Sequence, residues 1–325
     1  MPKIKVAAIQ MVGRTGDVSY NLAHIRELAE AAIKENAKVI ALPEFFTTTI
    51  VYDKRVFKSS LPPDNPAIEL LRKLARENEV LIGGSYLEMR HGDVFNTYVL
   101  VKPDGSVSKH DKDLPTMVEN AFYIGGNDDG IHATSMGRVG TAVCWETIRK
   151  KTVMRLKEKV DFLMTGSHWW SPPEKWYILN GFFEKMARSN REYMAAAPAE
   201  LARILGVPNL HASHAGRIDG RILLLPTDKF TGRFNGVLLG ETQIVDNTGA
   251  VLKRMKQEDG AGFVTADLDL SPSAQTLEEP ERFWIPRLEM RFRFFWHQQN
   301  WCGKAMYKHA KKNKWLQTYR FDNNE

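Results

Sequence analysis

The chain has 325 residues, of which 43% are hydrophobic and 26% are charged, and this ordinary globular composition excludes a collagen-like or disordered chain. Its two cysteines, Cys144 and Cys302, are too few for a disulfide framework, and no apolar run approaches the roughly 20 residues that span a bilayer. Residues 1–3 lead directly into a predicted strand without an apolar signal region. We therefore expect a cytoplasmic protein with reduced thiols and no membrane span.

The net charge of +6 is concentrated at the C-terminal end of the chain. Residues 281–325 hold 10 Lys or Arg and 4 Asp or Glu, which leaves residues 1–280 with equal numbers of both signs. The same end is rich in aromatic side chains. We therefore divide the chain into a main domain, 1–275, and a basic aromatic C-terminal arm, 276–325.

Strands and helices alternate in the first part of the chain. The apolar patterns predict strands at 4–10, 38–44, 80–86 and 95–101, with helices at 21–34 and 66–77. A turn at Asp104-Gly105 then predicts a hairpin. This β-α-β-α-β order, combined with later hairpins, predicts an α/β fold with a mixed sheet.

The second part of the chain is less regular. We predict a strand at 139–143, a basic helical segment at 148–159, a strand at 160–165, a long helix at 174–193, a strand at 194–197, a hairpin within 240–255 and a last strand at 262–268. Residues 201–235 show no clear pattern and suggest a loop-rich insertion.

Cys144 is expected at a sharp turn between a strand and a helical segment. A thiol in that position is accessible to a ligand, and the N–H groups of the following helical turn can lower its pKa. A lone cysteine on an apolar strand is, however, more often a buried structural residue. Two further polar residues, Glu44 and Lys112, also follow apolar strands, where ligands bind in α/β sheets.

Three short motifs settle which interpretation is favoured. Leu-Pro-Glu-Phe at 42–45, His-Asp-Lys-Asp-Leu-Pro-Thr at 110–116 and Cys-Trp-Glu-Thr at 144–147 resemble, in this order, the signature motifs of the nitrilase superfamily, the carbon–nitrogen hydrolases. The resemblance extends over about residues 3–270. It implies a four-layer α-β-β-α sandwich with two mixed β-sheets, usually paired into a dimer.

The resemblance also implies a catalytic triad of Glu44, Lys112 and Cys144, with Glu119 as a second glutamate beside the lysine. Glu44 would act as the general base toward the thiol and later toward water. Lys112 would favour the thiolate and hold the negative charge of a tetrahedral intermediate, with the backbone N–H of Trp145 as a second donor. No metal and no organic cofactor is required by this chemistry.

Aromatic residues after the next strand are candidates for the substrate pocket. We predict substrate contacts for Trp145, His168, Trp169 and Trp170, although packing against the following helix explains the last three equally well. His211 and His214 are four residues apart, but without a third ligand we interpret them as surface or structural histidines and predict no metal site.

The sequence leaves the type of C–N substrate open. Trp-Glu-Thr after Cys144 is closer to nitrile-cleaving members of the family, whereas the interval of 68 positions from Glu44 to Lys112 (112 − 44) is closer to amide-cleaving members. Residues 199–235 cannot be aligned with the family pattern, and Arg188-Ser189-Asn190-Arg191-Glu192 departs from its usual order. Both departures concern the substrate pocket.

We predict a cysteine-dependent carbon–nitrogen hydrolase that cleaves a small amide or nitrile through a covalent thioester or thioimidate. The alternative is a catalytically inactive family member that acts as a binding or assembly module through its basic aromatic tail. That tail could follow single-stranded nucleic acid or a membrane surface, but contact with a second subunit in a homodimer or higher homo-oligomer is favoured. Nucleic-acid binding is the weaker interpretation, because a basic run alone is poor support for it.

Overall fold

The computed structural model describes residues 3–171, 180–273, 277–278 and 290–321. Within these residues the strands are β1 Ile4–Met11, β2 Val39–Ala41, β3 Leu81–Arg90, β4 Asp93–Val101, β5 Val107–Asp111, β6 Ile131–Thr134, β7 Gly137–Val143, β8 Phe162–Ser167, β9 Trp170–Ser171, β10 Asn209–Leu223, β11 Thr231–Val245, β12 Val251–Lys256 and β13 Gly262–Leu268. The α-helices are α1 Val18–Lys34, α2 Pro66–Asn78, α3 Lys150–Leu156, α4 Asn180–Leu205 and α5 Met290–Lys312.

The strands form one mixed hydrogen-bonded network. Its main path runs β5-β4-β3-β2-β1-β10-β8-β7-β6, while β13 pairs with β1 and β11 pairs with β10, β12 and β9. The central pairs are parallel, and the hairpins are antiparallel. The predicted α/β class with a mixed sheet is confirmed, whereas the division of the strands into two separate sheets stays a prediction.

Successive side chains of β1 point to two different buried clusters, which shows how the layers of the fold are arranged. Val6 and Ala8 belong to a buried cluster that also contains Val139 and Val143 of β7, so strands from both halves of the network share this core. Ala7 and Ile9 point to the opposite face, where they join a cluster with apolar residues of α1 and α2. A third cluster joins β8 to α3 and α4. Helices therefore cover the faces that the shared core leaves open.

The first two helices begin where their capping residues place them. Asp17 caps α1 by accepting a hydrogen bond from the backbone N–H of Tyr20 at 3.1 Å, so α1 begins three residues before the predicted start at Asn21. Asn65 caps α2 through the N–H groups of residues 67 and 68, and Pro66 occupies the first turn, where its missing N–H costs nothing.

Two predictions for the second half of the chain are wrong. Residues 194–197 are not a strand but continue α4, in agreement with the high helix propensity of alanine, and the helix passes through Pro198. Residues 201–235 are not an insertion: α4 ends at Leu205, and β10 and β11 then form a long antiparallel hairpin. β10 contains many small and polar residues, which give no alternating apolar pattern even though residues 209–215 are buried.

The remaining helical predictions are only partly covered by the structure. The predicted helix at 174–193 begins outside the described residues, and α4 is described from Asn180 onward. Of the C-terminal arm, residues 290–321 are described, and α5 packs against a short 3₁₀ helix, Met117–Ala121. Among the described residues, no helix combines the length and apolar character needed to cross a membrane.

Candidate active site

Cys144 lies at the predicted sharp turn between a strand and a helical segment. β7 ends at Val143, and Cys144 begins a 3₁₀ helix, Cys144–Ile148, with a backbone φ of +52°. This left-handed conformation is unfavourable for a residue with a side chain, so the surrounding contacts must hold it. The hydroxyl of Thr147 donates to the carbonyl of Cys144 at 2.6 Å, which is one such contact.

Glu44 follows β2 and is completely buried. Its Oε1 accepts hydrogen bonds from Lys112 Nζ at 2.9 Å and from Asn96 Nδ2 at 2.8 Å, and its Oε2 accepts one from the backbone N–H of His168 at 2.8 Å. Burial raises the pKa of Glu44 to about 7, although the Lys112 ammonium opposes this rise. The carboxyl group can therefore take up and release a proton near neutral pH.

Lys112 lies between two carboxylates. Its Nζ is 2.9 Å from Glu44 Oε1 and 2.7 Å from Glu119 Oε2, and all three side chains are shielded from solvent. Glu119 also accepts hydrogen bonds from the backbone N–H of Thr116 at 2.9 Å and from the hydroxyl of Tyr123. Although burial opposes it, the two carboxylates raise the pKa of Lys112 well above its usual range, so the side chain is an ammonium ion.

The four residues predicted as the catalytic set are thus brought together. Polar atoms of Glu44, Glu119 and Cys144 lie within 4.8 Å of one another, around the Lys112 ammonium. Burial and the nearby Glu44 raise the pKa of the Cys144 thiol well above its usual range, in contrast to the lowering expected from the turn alone. The resting group is therefore a thiol that requires a base.

The same three atoms are close enough to ligate a metal ion. The arrangement, however, already contains a positive charge, because the Lys112 ammonium contacts both carboxylates. These residues therefore fit a lysine-based charge arrangement better than a cation site.

All four aromatic candidates for substrate contact line a cavity at Cys144. The lining consists of Thr116, Met117, Glu119, Cys144, Trp145, His168, Trp169, Trp170 and Asn190. The cavity is small, about 10 Å³, which is room for about one water molecule. His168 is also bound through its ring, since Nε2 accepts a hydrogen bond from the backbone N–H of Ile50 at 3.1 Å.

His211 and His214 are structural residues, and the interpretation as surface residues is wrong. Both lie on β10 and are completely buried, so their spacing does not place them on one helix face. His214 Nε2 donates to the backbone carbonyl of Glu44 at 2.8 Å, and His211 Nδ1 contacts Thr165 Oγ1 at 2.7 Å. Burial lowers the pKa of His211 to about 3 and that of His214 to about 4.

Several residues of the site escaped the sequence analysis. Asn96, on β4, donates to Glu44, and its only signal is a polar residue within an apolar strand. Met117 lines the cavity without a motif that marks it, whereas Thr116 ends the motif at 110–116 and Asn190 lies in the segment 188–192 that departs from the family pattern. Glu146 lies within the motif at 144–147, but the sequence does not show that its carboxylate accepts hydrogen bonds from the backbone N–H groups of Asp113 and Val143.

Residues 5–276 match the family model described as carbon-nitrogen hydrolase. The chain is 29% identical over 150 residues to a cyanide hydratase of Gibberella baccata, and the aligned region covers 41% of each chain. It is 26% identical over 198 residues to the omega-amidase NIT3 of Saccharomyces cerevisiae, and the aligned region covers 54% of this chain and 68% of that protein. The chain spans less than half of the length of the first cyanide hydratases that it matches.

The fold is also found among solved structures. An amidase from Nesterenkonia sp. AN1, solved after Michael addition of acrylamide to its active-site cysteine, superposes with a TM-score of 0.63 at 17% identity. The superposition covers 82% of this chain and 94% of the amidase. The family match and the shared fold agree with the motifs around Glu44, Lys112 and Cys144, and the chain therefore belongs to the carbon-nitrogen hydrolase family.

Proposed function

We propose that this protein is a cysteine-dependent hydrolase that cleaves a non-peptide C–N bond of a small amide or nitrile. The observation that carries the proposal is the buried arrangement of Cys144, Glu44 and Glu119 around the Lys112 ammonium. A nucleophile, a base with a pKa of about 7 and a fixed positive charge therefore lie side by side, and Cys144 and Glu119 of this group line the small cavity. These are the three parts that acyl transfer to a thiol requires.

The first half of the reaction forms a covalent intermediate. Glu44 takes the thiol proton of Cys144 while the sulfur attacks the carbonyl carbon, and the carbonyl oxygen becomes an anion stabilised by Lys112. The backbone N–H of Trp145, which follows the nucleophile, is the second donor that we propose. When the anion collapses, the C–N bond breaks, the leaving nitrogen takes the proton from Glu44, and a thioester remains. With a nitrile, the sulfur adds to the nitrile carbon, the nitrogen takes the proton from Glu44, and a thioimidate forms without loss of nitrogen.

In the second half, Glu44 accepts a proton from water as the water oxygen attacks the thioester. The C–S bond then breaks, the acid is released and the sulfur takes the proton back from Glu44. A thioimidate first adds one water and loses its nitrogen as ammonia, which takes the proton from Glu44, and the resulting thioester then reacts with a second water in the same way. Glu119 contacts Lys112 but accepts two further hydrogen bonds, so we assign it to holding the ammonium in place. No step uses a metal or an organic cofactor.

The lining of the cavity supports a small substrate with an apolar group. The aromatic side chains of Trp145, Trp169 and Trp170 favour an apolar group next to the reacting carbon. The similar proteins include both cyanide hydratases and an omega-amidase, so both nitrile and amide remain part of the proposal.

The C-terminal arm, residues 276–325, is proposed to support a homodimer or higher homo-oligomer. α5 packs against the main domain, while Met290, Phe294 and Trp301 remain 84%, 75% and 60% exposed. Aromatic and apolar side chains of this kind are typical of subunit contacts. A cytoplasmic location is likewise proposed from the low cysteine content.

The test compares the wild type with Cys144→Ala on a panel of small amides, N-carbamoyl compounds and nitriles. Ammonia release and the masses of the products are followed, and we expect turnover that Cys144→Ala abolishes, because no other group replaces the nucleophile. Cys302→Ala is the matched control, since Cys302 is the chain's other cysteine and is buried in a different apolar cluster from Cys144. We expect it to retain activity.

Alkylation of Cys144 shows whether a lack of turnover comes from an unsuitable set of substrates or from an unreactive thiol. Iodoacetamide should alkylate Cys144 in the wild type and in Cys302→Ala. Absence of both turnover and labelling at Cys144 would contradict the hydrolase proposal and favour the inactive binding module.

A further inference from the structure

Lys112 and Cys144 follow strands that do not pair with each other. β5, which precedes Lys112, lies at one end of the strand order, and β7, which precedes Cys144, is next to last at the other end. Among the described residues, β5 pairs with β4, and β7 pairs with β6 and β8. Ladder hydrogen bonds therefore do not fix the position of the ammonium relative to the thiol, and other contacts must do so.

The carboxylate of Glu146 makes such a contact. Its Oε1 accepts a hydrogen bond from the backbone N–H of Asp113 at 3.1 Å, and its Oε2 accepts one from the backbone N–H of Val143 at 2.8 Å. Asp113 directly follows Lys112, and Val143 directly precedes Cys144. One completely buried carboxylate thus joins the backbone of the two reacting residues.

His110 holds this carboxylate from the lysine side. Its Nε2 lies 3.0 Å from Glu146 Oε2, and its Nδ1 lies 2.5 Å from Asp128 Oδ1. Because both ring nitrogens face carboxylate oxygens, both must carry protons, and the ring is an imidazolium. Although burial opposes it, Glu146 and Asp128 raise the pKa of His110 to about 9, in agreement with this assignment.

Two further basic side chains face this pair. Arg155 lies 3.5 Å from Glu146 and 3.3 Å from His110 Nε2, where its charge opposes the rise in the pKa of His110. It donates to the backbone carbonyls of residues 129 and 141 at 2.6 and 2.8 Å. His132 lies near His110 but is neutral, because burial and the positive His110 lower its pKa to about 4. The nearby Asp128 also accepts a hydrogen bond from the backbone N–H of Asp111 at 2.8 Å, so it stabilises the end of β5.

We propose that Glu146, held by the protonated His110, is a positioning residue that keeps the Lys112 strand end against the Cys144 turn. The inference rests on the proposed hydrolase function, and it adds a charged pair that acts through the backbone without touching the substrate. When the pair is broken, Lys112 and Cys144 remain present but lose their relative placement. A misplacement of about 1 Å can lower a rate about 100-fold.

The first experiment compares Glu146→Gln with Glu88→Gln. Glu88 is a matched control because its carboxylate is equally buried, and it has three partners of its own: Tyr86 at 2.8 Å, Arg90 at 2.7 Å and Lys109 at 2.7 Å. We expect Glu146→Gln to lower kcat about 10- to 100-fold with little change in KM. Glu88→Gln should lose stability to a similar degree but keep its kcat per folded molecule.

The second experiment uses Asp128→Asn, because the Asp128 side chain is 37% exposed and its substitution leaves the buried Glu146 in place. Loss of this carboxylate lowers the pKa of His110, so the loss of kcat at alkaline pH should begin about one pH unit lower than in the wild type. A merely structural role for Asp128 would lower stability without moving this limb of the pH profile.

The outcomes separate this inference from the proposed function. If the wild type turns over and both Glu146→Gln and Glu88→Gln retain equal kcat, or if Asp128→Asn leaves the alkaline limb in place, the inference is wrong and the hydrolase proposal stands. If the wild type turns over no substrate, the rate of Cys144 alkylation by iodoacetamide replaces kcat in the same comparison. A slower alkylation only in Glu146→Gln then supports the inference.

Discussion

At the scale of single residues, burial raises the pKa of Glu44, and its hydrogen-bond donors oppose this rise. Asn96 is one of three, and its Nδ2 donates to the carboxylate at 2.8 Å. Asn96→Ala removes a contact that favours the charged form, so the pKa of Glu44 should rise further above its ordinary value. We expect the acid limb of the kcat/KM profile to move to higher pH, with about 10-fold lower activity at neutral pH.

The control is Asn65→Ala, which removes an equally buried amide whose partners are Tyr86 and the start of α2. This variant should lose stability but keep the wild-type pH profile. An unchanged acid limb in Asn96→Ala would show that Asn96 does not set the pKa of Glu44.

At the scale of elements, α5 supports the short 3₁₀ helix that carries Glu119. Gly303 lies where α5 crosses this helix, and a Cβ there would come within 2.7 Å of Asn120 Cβ and 3.1 Å of the Ala121 backbone. Alanine normally gains about 1 kcal/mol over glycine inside a helix. Here the clash must shift one of the two helices, so Gly303→Ala should lower both the melting temperature and kcat.

Lys308→Ala tests the same helix without the clash, since Lys308 is exposed on α5. It should change neither quantity, and the comparison is made by thermal unfolding and steady-state kinetics. A more stable Gly303→Ala variant with full activity would mean that α5 does not constrain Glu119.

The sequence identified those parts of this protein that depend on local pattern. Apolar strands that end in Glu44, Lys112 or Cys144 can be recognised in the chain, and three motifs in order indicated the family. The α4 continuation through Pro198 could not be predicted, because tertiary burial outweighs the local cost of proline. The contacts of Glu146 depend on two strand ends that only the folded chain brings together.

At the scale of the whole molecule, buried histidines make stability depend on pH. Burial lowers the pKa of His132 and His214 to about 4, that of His211 to about 3 and that of His168 well below its usual range, so the unfolded chain binds more protons than the native state below pH 6.5. Each of the four then costs up to about 1.4 kcal/mol of unfolding free energy per pH unit. Glu44 opposes this loss, because its raised pKa of about 7 lets the native state bind a proton first.

We therefore expect the free energy of unfolding to fall by roughly 4 kcal/mol per pH unit between pH 6 and pH 4.5, since four histidines outweigh one carboxyl group. On the alkaline side His110 acts in the opposite sense: its stabilising charge is fully present below pH 6.5 and is lost as the pH rises through about 9. Urea unfolding from pH 4.5 to 9.5 would measure both limbs, and His211→Asn should flatten only the acid one. A free energy that stays constant from pH 6 to pH 4.5 would mean that these histidines are not buried in the neutral form.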